Sequence, residues 1–168
     1  IQCKKETSTD FLIGNTSFGN LNSSNVITDL ETVFAKDSVV LDTTSILFDS
    51  STKNYKVFEN GGKPLFSVTN SKEDSLKIKT IRILDGRYTT ADGVGLNSTF
   101  GEIRKKYTIK KLLSTRQNVI VTLNESNLYF TISRNELPSN LKYNAAAKIE
   151  VANIPDAAKI KYLMLEWE

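Results

Sequence analysis

Apolar and polar residues change rhythm several times along this chain, and each rhythm predicts an element. Phe11-Leu12-Ile13-Gly14 reads as a short buried strand closed by glycine, followed by a turn-rich loop over 15–22. Val26, Ile27, Leu30, Val33 and Phe34 recur at spacings of three and four behind Ser23-Ser24, which predicts a helix over roughly 25–35 with a serine N-cap. Short β-rich runs come next (Val39–Leu41, Ser45–Phe48, Tyr55–Phe58, Leu65–Val68), separated by Asp, Ser, Asn and the turn Asn60-Gly61-Gly62, and they predict a β-meander.

A clearer strand follows at 76–84. Leu76 and Ile78 alternate with Lys77 and Lys79, but Ile81 and Ile83 are apolar on the opposite parity, so a bulge, a twist or burial on both faces is expected near 81–84. Beyond the turns at Asp85-Gly86 and Asp92-Gly93, Asn97-Ser98-Thr99 is expected to cap a second helix through Gly101 to about Tyr107, with Thr99 and Glu102 spaced as a capping box. Val119–Leu123 and Leu128–Ser133 flank Asn124–Asn127 as a hairpin; Ala145–Lys148 reads as a helical turn, and Lys159–Trp167 as a closing strand.

These elements predict an α+β fold: a twisted, mainly antiparallel sheet with two short helices on one face. Residues 1–10 are expected to be a flexible N-terminal tether and 11–168 a single α+β domain, since 168 residues with 39% hydrophobic content suffice for one core. Two internal echoes compete. Asn15–Leu21 and Asn97–Ile103 share the form Asn, two hydroxyl residues, Phe, Gly, any residue, aliphatic, while a second register sets Asp29, Leu30 and Phe34 against Glu102, Ile103 and Tyr107. The second superposes helix on helix and implies two degenerate α/β halves sharing one sheet.

Composition narrows the chemistry. The chain has no histidine and a single cysteine, so a histidine-based hydrolytic triad and an internal disulfide are both ruled out. A zinc site would need carboxylates alone; no EF-hand loop, phosphate loop or dinucleotide fingerprint occurs, and no metal or cofactor is expected. A carboxylate pair such as Asp85 with Asp92 keeps a small glycosidase-like hydrolase as an alternative. The longest apolar runs are a few residues, far short of the roughly 20 that span a bilayer.

The cysteine stands at position 3, followed by Lys4-Lys5-Glu6-Thr7-Ser8-Thr9-Asp10 with nothing apolar. In that setting Cys3 reads as a lipidated residue at the head of a solvated tether, placing the protein in a bacterial cell envelope, in the periplasm or on the outer surface. The net charge of +3 is mild, but Arg104, Lys105, Lys106, Lys110, Lys111 and Arg116 form a basic stretch that is a candidate patch for anionic headgroups, an acidic glycan or a partner protein; no nucleic-acid motif is present.

The run Thr89–Ile103, preceded by an Ile-rich strand and followed by Tyr107, resembles the T-x-x-G-[IV]-x-[IL]-G-[ST]-T-x-x-[ED]-[IV] segment of uncharacterised bacterial envelope lipoproteins, with Asn97 where the pattern has glycine. The resemblance covers about a tenth of the chain and implies a small envelope domain with a helix packed on an antiparallel sheet, without assigning catalytic residues. The expected function is a noncatalytic, membrane-tethered binding or envelope-maintenance module. A carboxylate-dependent hydrolase and a structural subunit that adds an edge strand to a partner are the competing classes.

Overall fold

Period-two burial, the mark of a sheet covered on one face, dominates the computed structural model, which describes residues 9–46 and 51–167. Cys3 and most of the expected tether lie outside the described residues. In chain order the elements are β1 (Leu12–Ile13), β2 (Ser17–Phe18), β3 (Leu21–Asn22), α1 (Leu30–Val33), β4 (Ser38–Asp42), α2 (Thr43–Ile46), β5 (Asn54–Phe58), β6 (Pro64–Asn70), β7 (Ile78–Ile83), β8 (Thr89–Thr90), α3 (Phe100–Arg104), β9 (Ile109–Ser114), β10 (Asn118–Leu123), β11 (Leu128–Ser133), α4 (Ser139–Lys142) and β12 (Ile160–Glu166).

Eight strands form one sheet in the order β4-β5-β6-β7-β12-β11-β10-β9, antiparallel throughout. A small second sheet has the order β3-β2-β1-β8, with β1 and β8 parallel. On one face of the large sheet Val57, Phe66, Val68, Ile81, Ile83, Leu163, Leu165, Phe130, Ile132, Val119 and Val121 are all buried. Phe18 of the small sheet and Phe34 after α1 pack edge-on to Phe66, with ring centroids 4.9 and 5.1 Å away, while Phe100 of α3 lies 6.4 Å from Phe130. Both expected helices therefore cover the same face, as the α+β reading requires. Directly registered residues on the other face run across all eight strands as Val40, Lys56, Ser67, Arg82, Met164, Tyr129, Thr122 and Lys111.

The parity switch in β7 is a bulge: Thr69 pairs with Thr80 and Asn70 with Ile78, leaving Lys79 as the extra residue. Ile78 and Ile81 can then both face the core. The strand starts at Ile78 and not at Leu76, which is 54% exposed.

Several expectations are corrected. The first helix is a 3-10 turn (Ile27–Asp29) running into a single α-turn, because Val26, Ile27, Thr28, Thr32 and Val33 are β-branched and resist a longer helix. Its start is not capped by Ser23 or Ser24. The Asp29 carboxylate accepts the Val26 N–H at 3.0 Å instead, and Ser24 is spent on Asn22. In place of a strand at Ser45–Phe48, Asp42 accepts the backbone and hydroxyl hydrogens of Thr44 and opens the helical turn α2; residues 47 and 48 lie outside the described residues. Strand β9 was not expected. The helical turn lies at Ser139–Lys142, after Pro138, and not at Ala145–Lys148.

Candidate functional site

The segment from Asp85 to Tyr107 is built as expected of a strand-to-helix turn. Thr90 and Val94 close a tight turn (Thr90 N–H to the Val94 carbonyl, 2.8 Å) in which Gly93 takes φ +79°, a region that favours glycine. Gly95 has a different role from Gly93: a side chain there would put Cβ 2.5 Å from the Tyr88 carbonyl oxygen, so it is needed for close approach and not for a left-handed angle. Asn97, at the pattern's glycine position, packs on Gly86, where a Cβ would fall 2.2 Å from the Asn97 amide. Thr99 and Glu102 form the expected capping box: Glu102 accepts the Thr99 N–H at 2.8 Å, and Thr99 the Glu102 N–H at 3.4 Å. A cavity of about 340 Å³ opens beside this turn, with Asp92, Ser98, Glu102 and Lys106 in its wall.

Asp85 does not line that cavity. Its buried carboxylate receives Lys63 Nζ at 2.8 Å and Arg87 Nη2 at 2.8 Å, together with the Arg87 backbone N–H at 2.9 Å. Burial pushes this carboxyl up, but the hydrogen bonds from Arg87 and Lys63 outweigh it and hold the group well below the usual carboxylate range. A carboxyl so fixed has no proton to donate at neutral pH. Asp92 accepts from the Tyr107 hydroxyl at 3.2 Å, so each member of the pair has a structural partner. Arg87 also bridges to Glu59 at 2.9 Å and lies over the Phe11 ring, beside a second cavity of about 570 Å³ that Tyr88 helps to line. Burial and the surrounding carboxylates push the Tyr88 hydroxyl up, keeping it protonated.

The basic stretch is split into groups, with Arg104, Lys105 and Lys106 around one open depression of about 460 Å³. Arg104 ends α3 in an ion pair with Asp156 (2.7 Å), beside exposed Lys105, while Lys106 reaches the 340 Å³ cavity. Lys110 and Lys111 lie on β9 and share a separate depression of about 550 Å³, and Arg116 occupies the distant β9–β10 turn.

The chain matches no family model and no curated protein. A solved structure does match it. The uncharacterized protein yfeY from Escherichia coli superposes with a TM-score of 0.62 over 93% of this chain and 99% of its own, at 12% sequence identity. At that identity the likeness concerns the fold alone.

Sequence reasoning missed the residues that give the uncovered face its character. Arg82 lies 4.3 Å over the Tyr162 ring, and Lys161 lies 5.1 Å from the same ring. Three further bulges occur: Leu65 is skipped between the pairs Val57–Phe66 and Phe58–Pro64, Lys110 between Thr122–Lys111 and Leu123–Ile109, and Lys161 between Thr131–Tyr162 and Ile132–Ile160, so among the described residues three of the four bulges in the large sheet fall on lysine. The signal was in the sequence as Ile78-Lys79-Thr80-Ile81, Ile109-Lys110-Lys111-Leu112 and Ile160-Lys161-Tyr162-Leu163, the same four-residue pattern three times. Buried Arg134 was also missed. Its guanidinium donates to the carbonyls of Thr115 (2.8 Å), Leu141 (2.8 Å), Asn144 (2.9 Å) and Ala145 (3.4 Å) and to the Ser114 hydroxyl.

Proposed function

We propose that this chain is a noncatalytic binding module of the bacterial cell envelope, tethered by lipid at Cys3, with the uncovered sheet face as its receptor surface. The observation that carries the reading is the contrast between the two faces of the large sheet. One is sealed by the small sheet and two helices; the other presents Arg82, Tyr129, Tyr162 and Met164 at the centre of a broad eight-stranded surface. Aromatic residues, Met and Arg are the side chains that concentrate at recognition surfaces. The carboxylate-hydrolase alternative is weakened by the ion pairs that occupy Asp85, and edge-strand addition at β9 by its bulge and lysines, which discourage pairing.

The reading includes two degenerate halves, each a short helix followed by four strands, meeting at β7 and β12. Matched contacts support it. Val26 bridges Lys77 as Thr99 bridges Lys159; Ile27 N–H meets the Leu76 carbonyl at 2.8 Å as Phe100 N–H meets that of Ala158 at 2.9 Å. Phe34 and Tyr107 close their helices on Leu30 and Ile103 at 2.9 Å each. All of these favour the register that sets Asp29 against Glu102.

The tether is tested by expressing the precursor with labelled palmitate in a bacterium. Label is expected on the parent and not on Cys3→Ser, which should leave the membrane fraction; a Cys3→Ser protein that stays membrane-bound overturns the tether. The receptor surface is tested with a photo-crosslinking residue at position 162, expected to capture a discrete envelope component that the same residue at position 31 does not; equal capture at both positions overturns it.

A further inference from the structure

We infer that the depression at one end of the uncovered face, around Lys110, Lys111, Thr122, Asn127 and Tyr129, is a binding site for a phosphate-bearing ligand. This deepens the reading of that face as a receptor surface by naming the ligand chemistry. The inference starts from the bulges. Skipping Lys79, Lys110 and Lys161 turns each lysine away from the core and toward the uncovered face, next to a neighbour that points the same way. In β9 the result is a pair of adjacent exposed lysines, Lys110 and Lys111, on one side of the strand. Guarding an edge accounts for a bulged lysine on β9, but β7 and β12 are interior strands with no edge to guard.

The charge is concentrated accordingly. The uncovered face holds Lys56, Lys79, Arg82, Lys110, Lys111 and Lys161 against Asp42 and Glu166, and those two carboxylates are already paired with Lys56 (2.9 Å) and Lys79 (3.1 Å). Among the described residues no carboxylate pairs with Lys110 or Lys111. The depression is about 550 Å³; besides Lys110 and Lys111 its wall holds the Lys79–Glu166 ion pair, the hydroxyls of Thr122, Ser126 and Tyr129, and Asn127, whose side-chain amide donates one hydrogen to the Asn15 carbonyl at 3.3 Å and keeps a second. Burial and the Glu166 charge push the Tyr129 hydroxyl up, so it remains a donor. The Thr122 hydroxyl donates to the Lys111 carbonyl at 3.4 Å, so the point-charge lysines and the Tyr129 and Ser126 hydroxyls carry the site, and they suit the tetrahedral oxygens of phosphate better than the planar fork of a carboxylate, which arginine would match.

The phosphate has two sources, a soluble phosphorylated compound or a lipid headgroup, and the test separates them. Full-length Cys3→Ser protein, which removes the tether from the question, is titrated with inorganic pyrophosphate while backbone amides are followed by NMR, and is sedimented with vesicles of pure phosphatidylcholine or of phosphatidylcholine with phosphatidylglycerol. Saturable shifts confined to 110–111, 122–123 and 126–129, weakened at least tenfold by Lys110→Glu/Lys111→Glu and unchanged by Arg116→Glu, support the site with a soluble ligand. Sedimentation with the anionic vesicles alone, lost in the double variant and kept in Arg116→Glu, supports it with a headgroup. Absence of both, or equal loss in Arg116→Glu, overturns it. Because Cys3 is absent in every arm, failure here leaves the tether untouched, and failure of the tether leaves this site untouched.

Discussion

Replacing Arg134 by methionine should destabilise the fold by about 3 kcal/mol, and the estimate follows from a contest between two effects. A guanidinium that is only 3% exposed and has no carboxylate beside it among the described residues costs several kcal/mol to remove from water. Against this stand five acceptors, each hydrogen bond to a charged donor contributing roughly 1.5–3 kcal/mol. The gross gain exceeds the cost. Asn144, Ala145, Ser114 and Thr115 are exposed residues, however, so water can reach several of the carbonyls once the guanidinium is gone. That relief keeps the loss near 3 kcal/mol and not at the sum of the bonds. Urea unfolding followed by Trp167, the chain's one tryptophan and buried, measures it directly. With m about 2 kcal/mol/M, the midpoint should fall by about 1.5 M. Arg134→Lys, which keeps the charge but has at most three donors, should fall between parent and methionine variant. A midpoint for Arg134→Met within about 0.3 M of the parent, roughly 0.6 kcal/mol, would refute the reasoning by showing that desolvation cancels the hydrogen bonds.

Asp85→Asn should cost about 3 kcal/mol at neutral pH, as expected when one member of a buried ion-paired network is neutralised, and urea unfolding at pH 7 measures it. Because the folded Asp85 carboxyl titrates below its unfolded value of about 3.9, its contribution is present above that value and is lost as pH falls through the lower folded value. Stability of the parent should therefore decline below about pH 4 more steeply than that of Asp85→Asn; parallel pH profiles would contradict this. Gly93→Ala should cost about 1–2 kcal/mol for its φ of +79°, and Gly95→Ala more, because its new Cβ collides with the Tyr88 carbonyl; thermal melts giving the reverse order would sink the distinction drawn between the two glycines. Thr99→Ala should lose about 1 kcal/mol with the capping box, read by the same melts, and no measurable change would mean that the cap is redundant with the packing of α3.

The sequence was most legible where one physical rule acted alone. Strict alternation on both sides of Asn124–Asn127 located β10 and β11, and the Thr99–Glu102 spacing located the start of α3. It was least legible where two rules competed. In Ile109-Lys110-Lys111-Leu112 the bulge breaks the alternation, so β9 looked like a basic segment and not a strand. The run Ser45–Phe48 favoured a strand, but the side chain of Asp42 turns the backbone into a helix over Thr43–Ile46. The candidate site was hidden for the same reason. Lys110 and Lys111 were visible as charges, yet their association with Thr122, Asn127 and Tyr129 exists only through pairing across β9, β10 and β11, which no local pattern reports. Arg134 carried no signal either, since four of its five partners are backbone carbonyls.

Strand β12 is made after every other strand of the large sheet, yet it lies at the sheet's middle, between β7 and β11, and Trp167 just beyond it donates to the Asn15 carbonyl at 3.0 Å. During synthesis the first meander therefore waits, its β7 flank unpaired, until more than seventy further residues have left the ribosome. Contacts so distant in sequence make assembly slow, and the half-made sheet, with the pairing edge of β7 open, is the species a chaperone would need to shield.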